Sequence, residues 1–430
     1  MDNNKGKFFE DGLYQEIRSR FAHMDDDPCV EGRRVFFDNG GGAMRLQAAL
    51  DAFVETDAYP DCPERTSDAS GIRLEEIWHK GIADAKIVFG AKSGQIATDF
   101  TATAVIMRII EAVIENVPGT NVVVSAGDHG STYDACEMFC KKFGKEFRVV
   151  KTNPKTGASD VEEFIKLVDE NTCLLCFIYA SNTSGAIYEA KEIIQKARAI
   201  KPDLYTILDA VQFAPHSVID VEDLQVDAID FTPYKFYGNR GLGLAYLSDR
   251  AAMLPHHRYA ANPENHWENG SPASGQFAGF SAVVDYFCWL GSHFTDSTDR
   301  RELFVEGMTQ MKYHERALLD RLLNGTDEIS GLRNIEGVSL YVDIEDMTKR
   351  ELLIGMGFDH LSIKDSGKVL YKHGIVTFPR TNDSMFSKRM INALEIEGLL
   401  RVTPCHCHGK EDVDYFLKVV AEIAKTKEMV

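Results

Sequence analysis

Between about Lys86 and Ser248 the chain alternates short apolar runs with amphipathic ones, and this alternation limits the possible folds more than any other feature. NVVVSA (121–126), CLLCFIYA (173–180), LYTILDA (204–210) and GLGLAYLS (241–248) read as compact strands. TAVIMRIIEAVIENV (103–117), VEEFIKLVDE (161–170) and EAKEIIQKARAI (189–200) read as the helices between them. Alternating strands and helices build βαβ units, whose sheet is mostly parallel and covered on both faces. The expected fold is therefore α/β. Such a sheet offers ligand sites at the carboxyl ends of its strands, and the polar residues of this region gather there.

After about Tyr286 the texture changes. FVEGMTQMKYHERALLDRLL (304–323) reads as a long amphipathic helix. SLYVDI, a helix around Ser362–His373, GIVTF, RVTP and a closing helix from Lys410 to about Lys425 follow it. We expect a large domain over 37–288 and a smaller α+β domain over 289–430, which the segment 1–36 joins. The stretch near Val105–Ile114 is interrupted by Arg108 and Glu111, and no run reaches the roughly 18–20 apolar residues of a membrane span. The opening MDNNKGKFFEDG has no apolar signal core, so a cytoplasmic location is expected. A formal net charge of −19 argues against binding to nucleic acid or anionic lipid. Nine cysteines, an odd number without a secretion signal, are expected to be free thiols. Cys173 and Cys176 form a CxxC, but residues three apart on a strand face opposite ways, so no shared metal is expected.

The segment DFTPYKFYGNRGLGLAYLS places Lys235 between a strand and a glycine-bearing turn. A lysine ending a strand at a pocket forms an imine with an aldehyde when burial keeps its amine neutral. A solvated loop lysine is the plainer alternative. Asp209 ends LYTILDA, where a buried carboxylate needs a partner such as a protonated pyridine nitrogen. Gln212, three residues on, and Asn182, in YASNTSGAI, are candidates to meet a ring hydroxyl; Asn182 reads equally well as a turn residue. His129, in AGDHGSTYDA, is placed to lie flat on a ring, with a helix start capped by Asp128 as the alternative. A phosphate requires backbone N–H groups at a helix start, and the Ser93–Gln95 step of AKSGQIATDF is read as that start.

Phosphate turn, His, Asn, Asp-x-x-Gln and Lys, in this order, resemble the class V aminotransferase fold of pyridoxal 5'-phosphate (PLP) enzymes, and its cysteine-desulfurase-like branch above all. FFDNGGG (36–42), SAGDHGSTYDA, ASNTSGAI, LDAVQFAPH, TPYKFYG, ENGSPASGQFAG (268–279) and RVTPCHCHGKEDVDYFL (401–417) match in family order over almost the whole chain. The resemblance implies a fold-type I architecture. A large PLP domain carries a mostly parallel, seven-stranded-type sheet between helices, beside a small C-terminal α+β domain. It implies that Lys235 holds PLP as a Schiff base and moves the Cα proton, while His129 stacks on the ring. Asp209 would pair with the pyridine nitrogen, and Gln212 and Asn182 with the ring oxygen. Ser93, Gly94, Gln95 and Thr232 would bind the phosphate, with Tyr234 as a further contact. Gly270 and Ser271 match a segment that reaches the phosphate from the partner subunit, which implies a homodimer. Arg401 would grip the carboxylate of a small amino-acid substrate, a bidentate task that suits guanidinium, unless it forms a surface ion pair. From the residues themselves, Arg380 is a candidate to share that carboxylate or to meet a second acidic group, with a loop arginine in water as the alternative, and Asn39 is a further substrate-side candidate.

Desulfurases carry a nucleophilic cysteine on a loop that corresponds to VTFPRTNDSMFSKRMINALEIEGLL (376–400), and this stretch has none. Tyr234 stands where many of them have histidine. Cys405 and Cys407 alternate with His406 and His408; in an extended chain that spacing parts the thiols from the imidazoles, so no metal is expected. The expected function is a PLP-dependent C–S lyase acting by β-elimination on cysteine or a derivative. An aminotransferase, an amino-acid epimerase and a non-catalytic scaffold on the same fold are the alternatives. The stretches 59–68, 254–267 and 378–383 are candidate lid and pocket walls.

Overall fold

The computed structural model describes residues 6–60 and 68–430, so most of the candidate lid stretch 59–68 lies outside the described residues. Its strands are β1 (Val35–Phe36), β2 (Gln95–Asp99), β3 (Asn121–Ser125), β4 (Glu146–Val150), β5 (Thr172–Ile178), β6 (Tyr205–Asp209) and β7 (Ala228–Phe231). They continue with β8 (Gly243–Leu247), β9 (Val338–Tyr341), β10 (Ile354–Phe358), β11 (Ile375–Val376), β12 (Phe378–Thr381) and β13 (Gly398–Val402). Seven of them form one sheet in the order β2-β8-β7-β6-β5-β3-β4. β7, β6, β5, β3 and β4 pair in parallel, while β8 runs antiparallel to both β7 and β2. The mostly parallel seven-stranded sheet read from the sequence is present.

Every residue of β3, β5 and β8 is buried, which is why these strands appear as unbroken apolar runs. Val122, Val124, Cys176 and Ile207 share a core with the helices Ala102–Asn116 and Gly130–Phe143. Val123, Leu175, Phe177 and Leu208 face the other way, into a core with Val88, Phe89, Phe280 and Val284 of the helices Ala69–Phe89 and Ser274–Ser292.

Two local expectations give way. Cys173 and Cys176 do not face apart, because the β3–β5 register shifts beside Cys173 and brings both into one core. Cys173 Sγ then lies 3.3 Å from Asn121 O. The stretch 161–170 is helical only over Val161–Ile165. Asp169 closes a turn instead, its carboxylate accepting from Asn171 N–H at 2.8 Å and Arg148 Nη1 at 2.6 Å.

The later part of the chain builds an antiparallel sheet, β12-β13-β10-β9, and β11 pairs in parallel with β1 from the other end of the chain. Val35, Phe37, Met356, Leu400 and Val420 share its core. The helix Arg300–Asn324 serves both halves: Phe304, Met308 and Met311 enter the larger core, and Leu318, Leu319, Leu322 and Leu323 the smaller. It meets the helix Ser274–Ser292 where Gly291 and Gly307 face one another. The missing side chains let the backbones touch there.

Candidate active site

At or just past the carboxyl ends of β3, β5, β6 and β7 stand His129, Asn182, Asp209 and Lys235, because parallel strands finish at one edge. β2 adds Thr101–Thr103 at that edge. Together they surround a cavity of about 190 Å³, which Gln212, Thr232, Tyr234 and Arg240 also line.

Lys235 lies in the turn after β7, with Phe236 and Tyr237 wholly buried behind it. Tyr237 holds a left-handed φ of 62°, supported by its hydroxyl donating to Pro215 O at 3.2 Å. The anchored turn makes the lysine part of the cavity wall. Burial, then the charge of Arg401, lowers the Lys235 pKa from 10.5 to about 7; Asp209 opposes this and Arg380 adds to it. Much of the amine is therefore neutral near pH 7, the form that attacks an aldehyde.

Asp209 is 2% exposed and accepts from Val211 N–H at 2.9 Å. Burial raises its pKa against that hydrogen bond and the charge of Lys235. A carboxyl held this way gains from a cationic N–H seated in the cavity, and a protonated pyridine nitrogen fits that need.

His129 caps the helix Gly130–Phe143 itself: Nδ1 accepts from Ser131 N–H at 3.2 Å, which assigns the ring proton to Nε2. Burial chiefly, and then Lys235, Arg380 and Arg389, lowers its pKa to about 4, so the ring is neutral at pH 7. Asp128 is not the cap; its carboxylate accepts from Ile178 N–H at 2.9 Å on β5.

The Ser93–Gln95 step is not the helix start expected of it. Ser93, Gly94 and Gln95 lead into a strand rather than a helix, and Gly94 N–H is taken by Asp249 at 3.1 Å. Ile96 and Ala97 are buried, and Gln95 pairs with Leu247 at the far edge of the sheet. At the near edge, Thr101 accepts from Ala104 N–H at 3.0 Å and caps the helix Ala102–Asn116. The first N–H groups of that helix have no acceptor within it, and Thr101, Ala102 and Thr103 line the cavity. This helix start suits a phosphate. Thr232 and Tyr234 stand in the same cavity, Thr232 donating to Leu242 O at 2.9 Å.

Arg380 and Arg401 are diagonal neighbours on one face of the smaller sheet, since Phe378 pairs with Arg401 and Arg380 with Leu399. Neither lines the cavity itself, though both depress the pKa of Lys235. Arg401 is buried rather than on the surface. It donates to Asp38 Oδ1 from Nη2 at 2.6 Å and Nε at 3.2 Å, and to Asn182 O from Nη1 at 3.2 Å. Arg380 donates to Ser387 Oγ at 3.0 Å, and its buried Nε has no partner.

Asn39 is 5% exposed and bound to the backbone around it. Its amide donates to Thr403 O at 2.8 Å and Phe36 O at 3.1 Å and accepts from Met44 N–H, which ties FFDNGGG to the segment after β13. Gly270 and Ser271 lie on an exposed loop outside the Lys235 cavity of their own chain.

PCHCHGK is not extended. His408 N–H donates to Cys405 O at 2.9 Å, and the turn gathers Cys405 Sγ within 3.3 Å of Cys407 Sγ and 3.6 Å of His408 Nδ1. The thiols and one imidazole therefore converge, against the expected separation. Cys405 N–H already donates to that Nδ1 at 3.1 Å, and the cluster lies buried outside the cavity.

Thr101–Thr103, Arg240 and Asp38 escaped the sequence reading. A threonine just before the apolar run that begins the helix was the available signal for the first; nothing local announces Asp38, whose partner is 363 residues away.

The family model described as aminotransferase class-V matches residues 35–416. A cysteine desulfurase of Haloferax volcanii is 25% identical over 439 residues, covering 96% of this chain and 93% of its own. One of Pectobacterium carotovorum is 29% identical over 218 residues, about half of each protein: 47% of this chain and 51% of the relative. The apo cysteine desulfurase from Thermococcus onnurineus superposes with a TM-score of 0.77 at 19% identity, covering 96% of this chain and 98% of that one. The Escherichia coli cysteine desulfurase CsdA, in an S-sulfonic acid form, gives 0.76 at 18% identity over 99% and 100%. At these identities the solved structures speak for the fold.

Proposed function

Because this chain belongs to the class-V aminotransferase family, whose members depend on PLP, we propose that it cleaves the C–S bond of cysteine or a cysteine derivative by β-elimination. One observation carries this reading. Lys235, Asp209 and the helix start at Thr101–Thr103 meet at one cavity, and none of the described cysteines lines it. Residues 376–400 contain no cysteine, and Cys405 and Cys407 are fully buried elsewhere. Among the described residues no thiol stands at the cavity to take sulfur from the substrate, which favours direct loss of sulfur as a leaving group.

PLP, when bound, supplies a sink for the electron pair left by a broken Cα–H bond. Asp209 is the residue to face its ring nitrogen, and the N–H groups at Thr101–Thr103 its phosphate. The near-neutral amine of Lys235 takes the Cα proton. The Cβ–S bond then breaks, its electron pair leaving on sulfur as thiolate or hydrosulfide. The three-carbon remainder, 2-aminoacrylate, hydrolyses to pyruvate and ammonia. His129, uncharged, offers a flat face that adds no positive charge to the site. Arg401, steadied by Asp38, holds the α-carboxylate, with Arg380 alongside.

The proposal includes a homodimer, in which the exposed Gly270 and Ser271 reach the partner's phosphate site. It also includes a cytoplasmic location, which the free thiols of the described cysteines suit. No helix among the described residues is long and apolar enough to cross a membrane.

PLP-loaded protein is tested with L-cysteine and S-substituted cysteines, with Lys235→Ala as control. Pyruvate that disappears in the variant is the expected result. Alanine with released sulfur would mean desulfuration, a new 2-oxo acid transamination, and colourless, inert protein a scaffold.

A further inference from the structure

Gln212 is buried against the cavity, and its far side meets a pair of charged groups. Its amide nitrogen lies 3.4 Å from His216 Nε2, while its Oε1 is buried without a partner. His216 Nδ1 lies 2.9 Å from Glu315 Oε2 on the helix Arg300–Asn324, and both residues are almost wholly enclosed. The two ends of a carboxamide have the same shape, so its hydrogen bonds decide which way round it sits.

Glu315 is 1% exposed. Lys312, one turn earlier, is taken by Glu351, so His216 is the cation that offsets the Glu315 charge. Glu351 also favours the charged form of His216 and Lys312 opposes it, and His406, from the segment after β13, is a further titratable neighbour. An imidazolium has N–H at both nitrogens, so Nε2 requires an acceptor. Turning the amide of Gln212 gives it one, relieves the orphaned oxygen, and points the amino group at the cavity. A neutral His216 would hold the opposite setting, with a carbonyl facing the bound group.

We propose that the His216–Glu315 pair fixes Gln212 as a hydrogen-bond donor to the ring oxygen of PLP, making both positioning residues. This rests on the functional reading above. A donor there stabilises the anionic oxygen that accompanies a deprotonated lysine-linked nitrogen, and so lowers the pH at which the visible band changes.

The test is a spectrophotometric pH titration of PLP-loaded protein without substrate. Glu315→Gln and Gln212→Ala are each expected to raise the midpoint by about one unit, tenfold in proton affinity, and the double variant no further. Should Glu315→Gln fail to fold, His216→Leu with Glu315→Leu removes both charges together and is expected to shift the midpoint the same way. An unmoved midpoint, or a Glu315→Gln shift that persists in full on Gln212→Ala, overturns the proposal alone. Wild type that forms no lysine-linked band overturns the functional reading, and this proposal with it.

Discussion

The guanidinium of Arg401 and the carboxylate of Asp38 meet at 2.6 Å, though 363 residues separate them in the chain. With Asn182 O on its other side, the guanidinium is held still beside Lys235. A lysine cannot reproduce that planar, multiply bonded arrangement. Arg401→Lys should raise KM for the amino acid roughly 10- to 100-fold while kcat changes far less, as steady-state kinetics would show. A fall in kcat at constant KM would contradict the assigned role.

Cofactor uptake should follow the protonation of Lys235. Only the neutral amine attacks an aldehyde, so the rate at which apoprotein develops its visible band should rise with pH through a midpoint near 7. Arg380 disfavours the charged amine; removing it lets the proton bind more tightly. Arg380→Gln should therefore move the midpoint upward.

Thr101→Ala and Ser93→Ala separate the two candidate anion sites. Loss of the Thr101 cap should cost about 1 kcal/mol in urea unfolding of the apoprotein and weaken PLP binding in equilibrium dialysis. Ser93→Ala should leave the PLP affinity unchanged, because Ser93 lies at the far edge of the sheet.

That contrast marks where the sequence could be read and where it could not. The buried parallel strands were legible because burial on both faces leaves continuous apolar runs, and Lys235 and Asp209 stood out as charges at their ends. QIATD, five residues with three consecutive buried ones, carries too little periodicity to separate a strand from a helix start, so the sequence reads a helix start before it where the structure has one after it. The turn at Cys405–His408 and the engagement of Asn39 depend on backbone partners that leave no trace in side-chain pattern.

Gly307→Ala should be strongly destabilising. A methyl group there would overlap the carbonyl oxygen of Phe287 at the crossing of the two helices, and backbone cannot step aside as a side chain can. A loss of about 2–4 kcal/mol in the denaturant midpoint is expected.

The helix Arg300–Asn324 has one end in each core, and neither core keeps its packing if that helix unwinds. Heating should therefore melt the molecule in a single calorimetric transition, with Arg401 and Lys235 parting company at the same temperature at which the chain loses its fold.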